Sequence, residues 1–151
     1  MAIAGILSTD GGSRGNPGIA GIGFRLEQLG EVKAQAGAYI GINTNNVAEY
    51  KALIWGLRNA KECGIERLLV RADSELMVKQ MNGLYKVKAT NLIPLHQEAF
   101  NLASSFVECR FMHVPRSQNI EADLMANQAM DAQSAVGAWL VEYEGDSDAL
   151  L

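Results

Sequence analysis

Thr9-Asp10-Gly11-Gly12-Ser13-Arg14-Gly15-Asn16-Pro17-Gly18 is the stretch from which the fold is read. The residues before it, Met1 to Ser8, form an almost unbroken apolar run. Such a run reads as a strand covered on both faces, and strands of that kind lie mid-sheet. Asp10 is therefore expected where a central strand ends. The glycines and proline that follow let the backbone turn sharply and bring its N–H groups near a ligand. A carboxylate beside bare backbone suits a metal ion or a phosphate, although an Asp also commonly opens a turn.

Downstream, Ile22, Phe24 and Leu26 alternate with Gly21, Gly23 and Arg25, and Val32, Ala34, Ala36, Ala38 and Ile40 alternate with Lys33 and Gln35. This period of two predicts two strands joined at Gln28-Leu29-Gly30, forming an antiparallel meander with the first. Val47 to Gly64 carries a helical pattern of about five turns. Asn46 is placed to cap that helix, with Glu49 closing a capping box. Leu53, Gly56, Ala60 and Cys63 follow Glu49 at helical spacing, so its carboxylate heads a stripe facing the sheet.

Leu68 to Ala72 reads as a strand entering by a right-handed crossover, parallel to its predecessor in the sheet. Asp73 stands at its C-terminal end, where an Asp ordinarily caps the next helix, Ser74 to Met81. Leu84 to Lys88 reads as a loop or a short helical continuation. Another helix runs from about Asn91, with Pro94 in its first turn and Leu92, Leu95, Ala99, Leu102 and Phe106 on its buried face. His96 on that helix reads as structural or solvated. Val107 to Val114 is the fifth strand and Pro115 to Gln118 a turn. Asn119 then caps a last helix, which carries Asp123 on the same side as Ala126 and Met130. The whole is an α/β fold with a mixed five-stranded sheet, three antiparallel strands followed by parallel βαβ, flanked by helices. The domain spans 1–132, and 133–151 is a C-terminal tail, packed or adding a strand around Trp139 to Tyr143.

At 151 residues the chain suits one domain able to bury roughly two-thirds of its unfolded surface. Hydrophobic content of 48% with 20% charge fits a soluble globular protein. No apolar run approaches the ~18 residues of a membrane helix, and Met1 to Ser8 lacks the basic flank of a signal peptide, so a cytoplasmic location is expected; a monomer is expected as well. Cys63 and Cys109 read as buried thiols. A net charge of −4 argues against holding nucleic acid by bulk positive potential. An acidic tail of Glu142, Glu144, Asp146 and Asp148 lowers the total, while Lys79, Lys86 and Lys88 offer a local basic surface.

Asp10, Glu49, Asp73 and Asp123 each have an ordinary structural use, but they share a position. They stand at strand ends and on inward helix faces, which converge at one edge of a mixed α/β sheet. Four convergent carboxylates repel unless a cation lies between them. Hard oxygen donors without His or Cys point to Mg²⁺ or Mn²⁺. Two such ions ~4 Å apart would activate a water and stabilise the leaving oxygen of a phosphodiester.

With these residues in place the chain resembles type 1 ribonuclease H, from the first strand to the helix ending near Ala132. The match rests on TDGGSRGNPG around Asp10, TNNVAEY around Glu49, RADSELMVKQ around Asp73 and NIEAD around Asp123, in the family's order. The resemblance implies a metal-dependent endonuclease that cuts the RNA strand of RNA–DNA hybrids and leaves phosphomonoester ends. It makes the four acidic residues catalytic metal ligands and Asn16, Thr44, Asn45, Asn46, Ser74, Glu75 and Arg116 substrate contacts. A wide, shallow groove displaying 2′-hydroxyls is where such contacts tell RNA from DNA without reading sequence.

Three departures from the family pattern follow. No histidine lies inside the loop before Asp123, since His113 falls on the strand. The basic protruding helix of some members is missing. Glu75 stands where some members have glutamine. The alternative is a module of the same fold that binds hybrids or double-stranded RNA without cutting them.

Overall fold

The computed structural model describes residues 4–145. The strand reading of Met1 to Ile3 and the acidic positions Asp146 and Asp148 lie outside them. The chain runs β1 (Ala4–Arg14), β2 (Gly18–Gln28), β3 (Glu31–Asn43), α1 (Asn45–Glu62), β4 (Arg67–Ala72), α2 (Glu75–Met81), α3 (Ile93–Ser104), β5 (Glu108–His113), α4 (Ile120–Ala132) and β6 (Val136–Ala138). The sheet order is β5-β4-β1-β2-β3-β6. β1 pairs antiparallel with β2 and parallel with β4, β5 is parallel to β4, and β6 is antiparallel to β3. The meander and the βαβ crossover stand as expected, but among the described residues the sheet has six strands rather than five. The sixth is Val136–Ala138, while Trp139 to Tyr143 packs without becoming a strand.

The glycine run departs from its sequence reading. β1 does not end at Asp10: Gly11, Gly12 and Ser13 stay in the ladder opposite Ile22, Gly21 and Ala20. The turn is confined to Gly15-Asn16-Pro17, where the Asn16–Pro17 peptide is cis. Gly11 has a different reason to be glycine. A side chain there would collide with the backbone of Ala48 and Glu49, so its absence lets α1 lie against the strand beside Asp10. On the other face a side chain at Gly23 would strike the Ala122 carbonyl of α4. Gly23 is the register partner of Asp10, so Asp10 faces α4.

The core lies between the sheet and α1, with Leu7, Phe24, Leu53 and Leu57 excluded from water. The Phe24 and Trp55 rings meet edge to face at 4.8 Å between centroids. Burying such a side chain contributes roughly 1.5–3 kcal/mol. Coverage of β1 fades toward its start, where Ile6 is 36% exposed, contrary to a strand buried on both faces throughout. α4 packs chiefly over β2 and β3 and does not shield that end.

The helix caps also fall elsewhere than expected. Thr44, with an extended backbone, caps α1 by accepting from Val47 N at 3.3 Å, so Asn46 lies inside the helix and Glu49 closes no capping box. Ser74 rather than Asp73 caps α2, accepting from Met77 N at 3.2 Å. Asn119 makes no cap bond and instead donates to the Thr9 carbonyl. In the tail, Asn59 Oδ1 accepts from Leu140 N and Val141 N, and Trp55 Nε1 donates to the Val141 carbonyl at 2.7 Å. Both cysteines are free and half-buried.

Candidate active site

The parallel pairing of β1 with β4 stops at Thr9 opposite Ala72, so Asp10 and Asp73 are the next residues on two adjacent strands. Neighbouring strands run about 4.8 Å apart, which sets these two carboxylates side by side. Glu49 enters from the second turn of α1, brought close by the bare backbone of Gly11. Asp123 enters from the first turn of α4. All four line one cleft of 510 Å³ together with Ser13, Asn45, His113, Arg116 and Asn127.

Their mutual field is strong. The Asp10 carboxyl is pushed from 3.8 up to about 9, first by burial, then by the charge of Asp73, with Asp123 and Glu49 adding to it. Burial raises Glu49 to about 7, a hydrogen bond from the Ser74 hydroxyl opposes that, and the charge of Asp73 adds to it. Among the described residues no three His, Cys, Asp or Glu side chains form a ready-made coordination cluster. The donor set nonetheless suits a hard divalent cation: four carboxylates, no thiol, and a repulsion that a cation between them would relieve. Arg116 Nη2 stands 3.4 Å from Asp123 Oδ1, an exposed contact of little energetic weight.

The seven positions expected to touch substrate are distributed unequally. Asn45 and Arg116 line the cleft. Asn45 Oδ1 accepts from Ser13 N at 2.8 Å and from the Ser13 hydroxyl at 3.1 Å, and Asn16 Oδ1 accepts from Asn45 N at 3.1 Å. Asn16, Thr44, Asn46, Ser74 and Glu75 do not line it. Thr44 and Ser74 serve as caps, Asn46 is exposed, and Glu75 pairs with Lys79 at 2.7 Å.

His113 corrects the sequence reading, which placed no histidine at the site. It closes β5 opposite Ala72, one residue before Asp73 in the parallel register, and so lines the cleft. Strand registry is what brings it there, and no local pattern around His113 shows that. Asn127 was also missed, although its spacing of four from Asp123 places both on one helix face; its amide donates to the Asp123 carbonyl at 3.0 Å.

A family model described as reverse transcriptase-like matches residues 8–129. The bifunctional protein of Mycobacterium tuberculosis is 44% identical over 135 residues, which make up 88% of this chain and 37% of that protein. This chain thus spans well under half of that relative. The solved N-terminal RNase H domain of the same mycobacterial protein superposes with a TM-score of 0.84, covering 87% of this chain and 96% of that one, at 44% identity. RNase H1 of the halophilic archaeon Halobacterium salinarum gives a TM-score of 0.82 at 38% identity, covering 85% and 98%. LC11-RNase H1, solved in complex with an RNA/DNA hybrid, gives 0.81 at 41% identity, covering 85% and 98%.

Proposed function

We propose, since the chain belongs to the type 1 ribonuclease H family, that it hydrolyses the RNA strand of RNA–DNA hybrids as a cytoplasmic monomer. The observation that carries this reading is the convergence of Asp10, Glu49, Asp73 and Asp123 from four separate elements into one cleft. Those four residues would hold two divalent ions, Mg²⁺ or Mn²⁺. When bound, the ions supply Lewis acidity that lowers the pKa of a water and steadies the leaving oxygen.

The chain's own residues do the rest. Asp10 and Asp73 offer carboxylate oxygens side by side at the end of the parallel pairing. Ser74 orients Glu49 by a hydrogen bond, and Arg116 sets a positive charge beside Asp123 where product phosphate would leave. Asn45, braced by Ser13 and Asn16, presents its side chain to the cleft, where it would meet the hybrid backbone. We assign Thr44, Asn46, Ser74 and Glu75 to the flanking contacts. Among the described residues no helix is long and apolar enough to cross a membrane.

The test incubates the protein with a hybrid labelled on either strand, in Mg²⁺, Mn²⁺ or chelator. RNA cleavage with metal and none with chelator is the expected result. Binding of the hybrid without cleavage would identify a non-catalytic module, and equal cutting of an all-DNA duplex would reject the substrate class.

A further inference from the structure

Glu49 and Tyr50 are consecutive on α1 and take hold of opposite ends of α2. The Glu49 carboxylate accepts from Ser74, the N-cap of α2. The Tyr50 hydroxyl donates to Gln80 Oε1 at 2.6 Å, in the last turn of the same helix. Tyr50 is 1% exposed and Gln80 7%, so this bond is made away from water. A third element braces the far end: His96 Nε2 of α3 lies 3.4 Å from the Gln80 carbonyl, with its ring edge-on to Tyr50 and stacked on Phe100. α1 and α2 approach closely at few other positions.

We propose that Tyr50 and Gln80 form a latch that positions α2, and with it Asp73 and Ser74, against Glu49. They are positioning residues, since neither lines the cleft. α2 has seven residues, too short to hold a fixed place by its own hydrogen bonds. Asp73 immediately precedes its cap, so a helix that pivots about Ser74 moves Asp73 relative to Glu49 and Asp10. A buried neutral hydroxyl–amide bond resists that pivot because breaking it leaves both groups unpaired and out of water. The cost of losing it falls on metal binding rather than on hybrid binding, since Asp73 and Glu49 are metal donors in the function proposed above, on which this inference rests.

The test compares the parent chain with Tyr50→Phe, Gln80→Met and the double variant. Two readouts are taken: cleavage of the hybrid across Mg²⁺ concentrations, and Mn²⁺ binding by calorimetry without substrate. Each single variant is expected to lower kcat and Mn²⁺ affinity by roughly 10-fold while KM for the hybrid stays within about twofold. The double variant is expected to match the singles, because one bond is lost in all three. Folded variants with kcat and Mn²⁺ affinity within about twofold of the parent would overturn the latch. So would a loss of activity with Mn²⁺ affinity unchanged. Tyr50→Phe keeps the ring and decides the matter alone if Gln80→Met does not fold. A parent that binds Mn²⁺ but leaves the hybrid uncut refutes the functional reading, and the variants' Mn²⁺ affinities then judge the latch; a parent that does neither refutes both.

Discussion

Asn119 donates its side-chain amide to the Thr9 carbonyl at 2.8 Å, tying the residue that precedes α4 to the residue that precedes Asp10. Both are sealed from water, Asn119 wholly and Thr9 to 1%. Asp123 follows Asn119 by one helical turn, so this bond sets how deeply the last carboxylate reaches toward the first. Asn119→Ala strips a buried carbonyl of its donor and opens a small cavity. It is expected to cost about 2 kcal/mol in urea unfolding and to slow cleavage. Parent-like stability together with parent-like activity would show that α4 is held by packing alone.

Asp10 is the carboxylate on which the other three bear. Replacing it with Asn keeps the shape and removes the charge, which would misplace the cation proposed to generate the nucleophile. Cleavage is expected to fall on the order of 10³-fold or more. Activity of Asp10→Asn within about tenfold of the parent would reject the metal assignment.

Much of this arrangement is legible in the chain. The period-two runs of β2 and β3 are strong because apolar side chains alternate there with small or polar ones, and α1 stands out by its length and its near-continuous burial. What escaped was decided between distant residues. Gly11 looks like part of a turn until α1 is seen pressed against it, and only then does its lack of a side chain become a packing requirement. Thr44, Asn45 and Asn46 have interchangeable capping chemistry, so the path of the chain leaving β3 selects Thr44. β6 contains a glycine and an alanine beside one valine and carries no pattern; β3 recruits it. The convergence of the four acidic residues was legible because they stand at strand ends and on inward helix faces.

Stability without metal should depend on pH. The Asp10 carboxyl lies far above its ordinary value in the folded chain, so ionising it opposes folding. The penalty is absent below pH 3.8, grows as pH rises, and is complete beyond about 9. Glu49, raised to about 7, adds to it over a narrower window. In EDTA, Asp10→Asn is therefore expected to exceed the parent in stability by about 1 kcal/mol or more at pH 8, with the curves converging near pH 4. Asp73→Asn is expected to shift the same way, since Ser74 holds the cap. Chemical denaturation at both pH values measures this, and an Asp10→Asn chain less stable than the parent at pH 8 would contradict mutual repulsion.

The tail is expected to matter for stability. Asn59 is fully buried on α1, and its side chain accepts from two consecutive tail amides while donating to the Trp55 carbonyl at 2.9 Å. We propose the boundary after Ala132 as the end of the catalytic unit proper. A chain stopped there leaves Asn59 Oδ1 and Trp55 Nε1 without these partners and removes the strand paired with β3. Such a chain is expected to lose about 2–3 kcal/mol in thermal or urea unfolding. A truncated chain as stable as the parent would mean that water replaces these bonds without penalty.

His113 supplies the last prediction. The strand partner of Ala72 places it beside Asp73 at the wall of the cleft, and it is exposed. Imidazole is the side chain best able to take up and release a proton near neutral pH. Arg116 cannot fill that role, because a guanidinium stays protonated. His96 lies outside the cleft, with its ring between Tyr50 and Phe100. His113→Ala is therefore expected to slow cleavage by about 10-fold or more and to change the shape of the pH profile. His96→Ala should cost less than about tenfold and leave that profile's shape intact. The discriminating measurement is kcat against pH for both variants with saturating Mg²⁺. Equal, pH-independent effects would mean that no imidazole handles the proton and that solvent does.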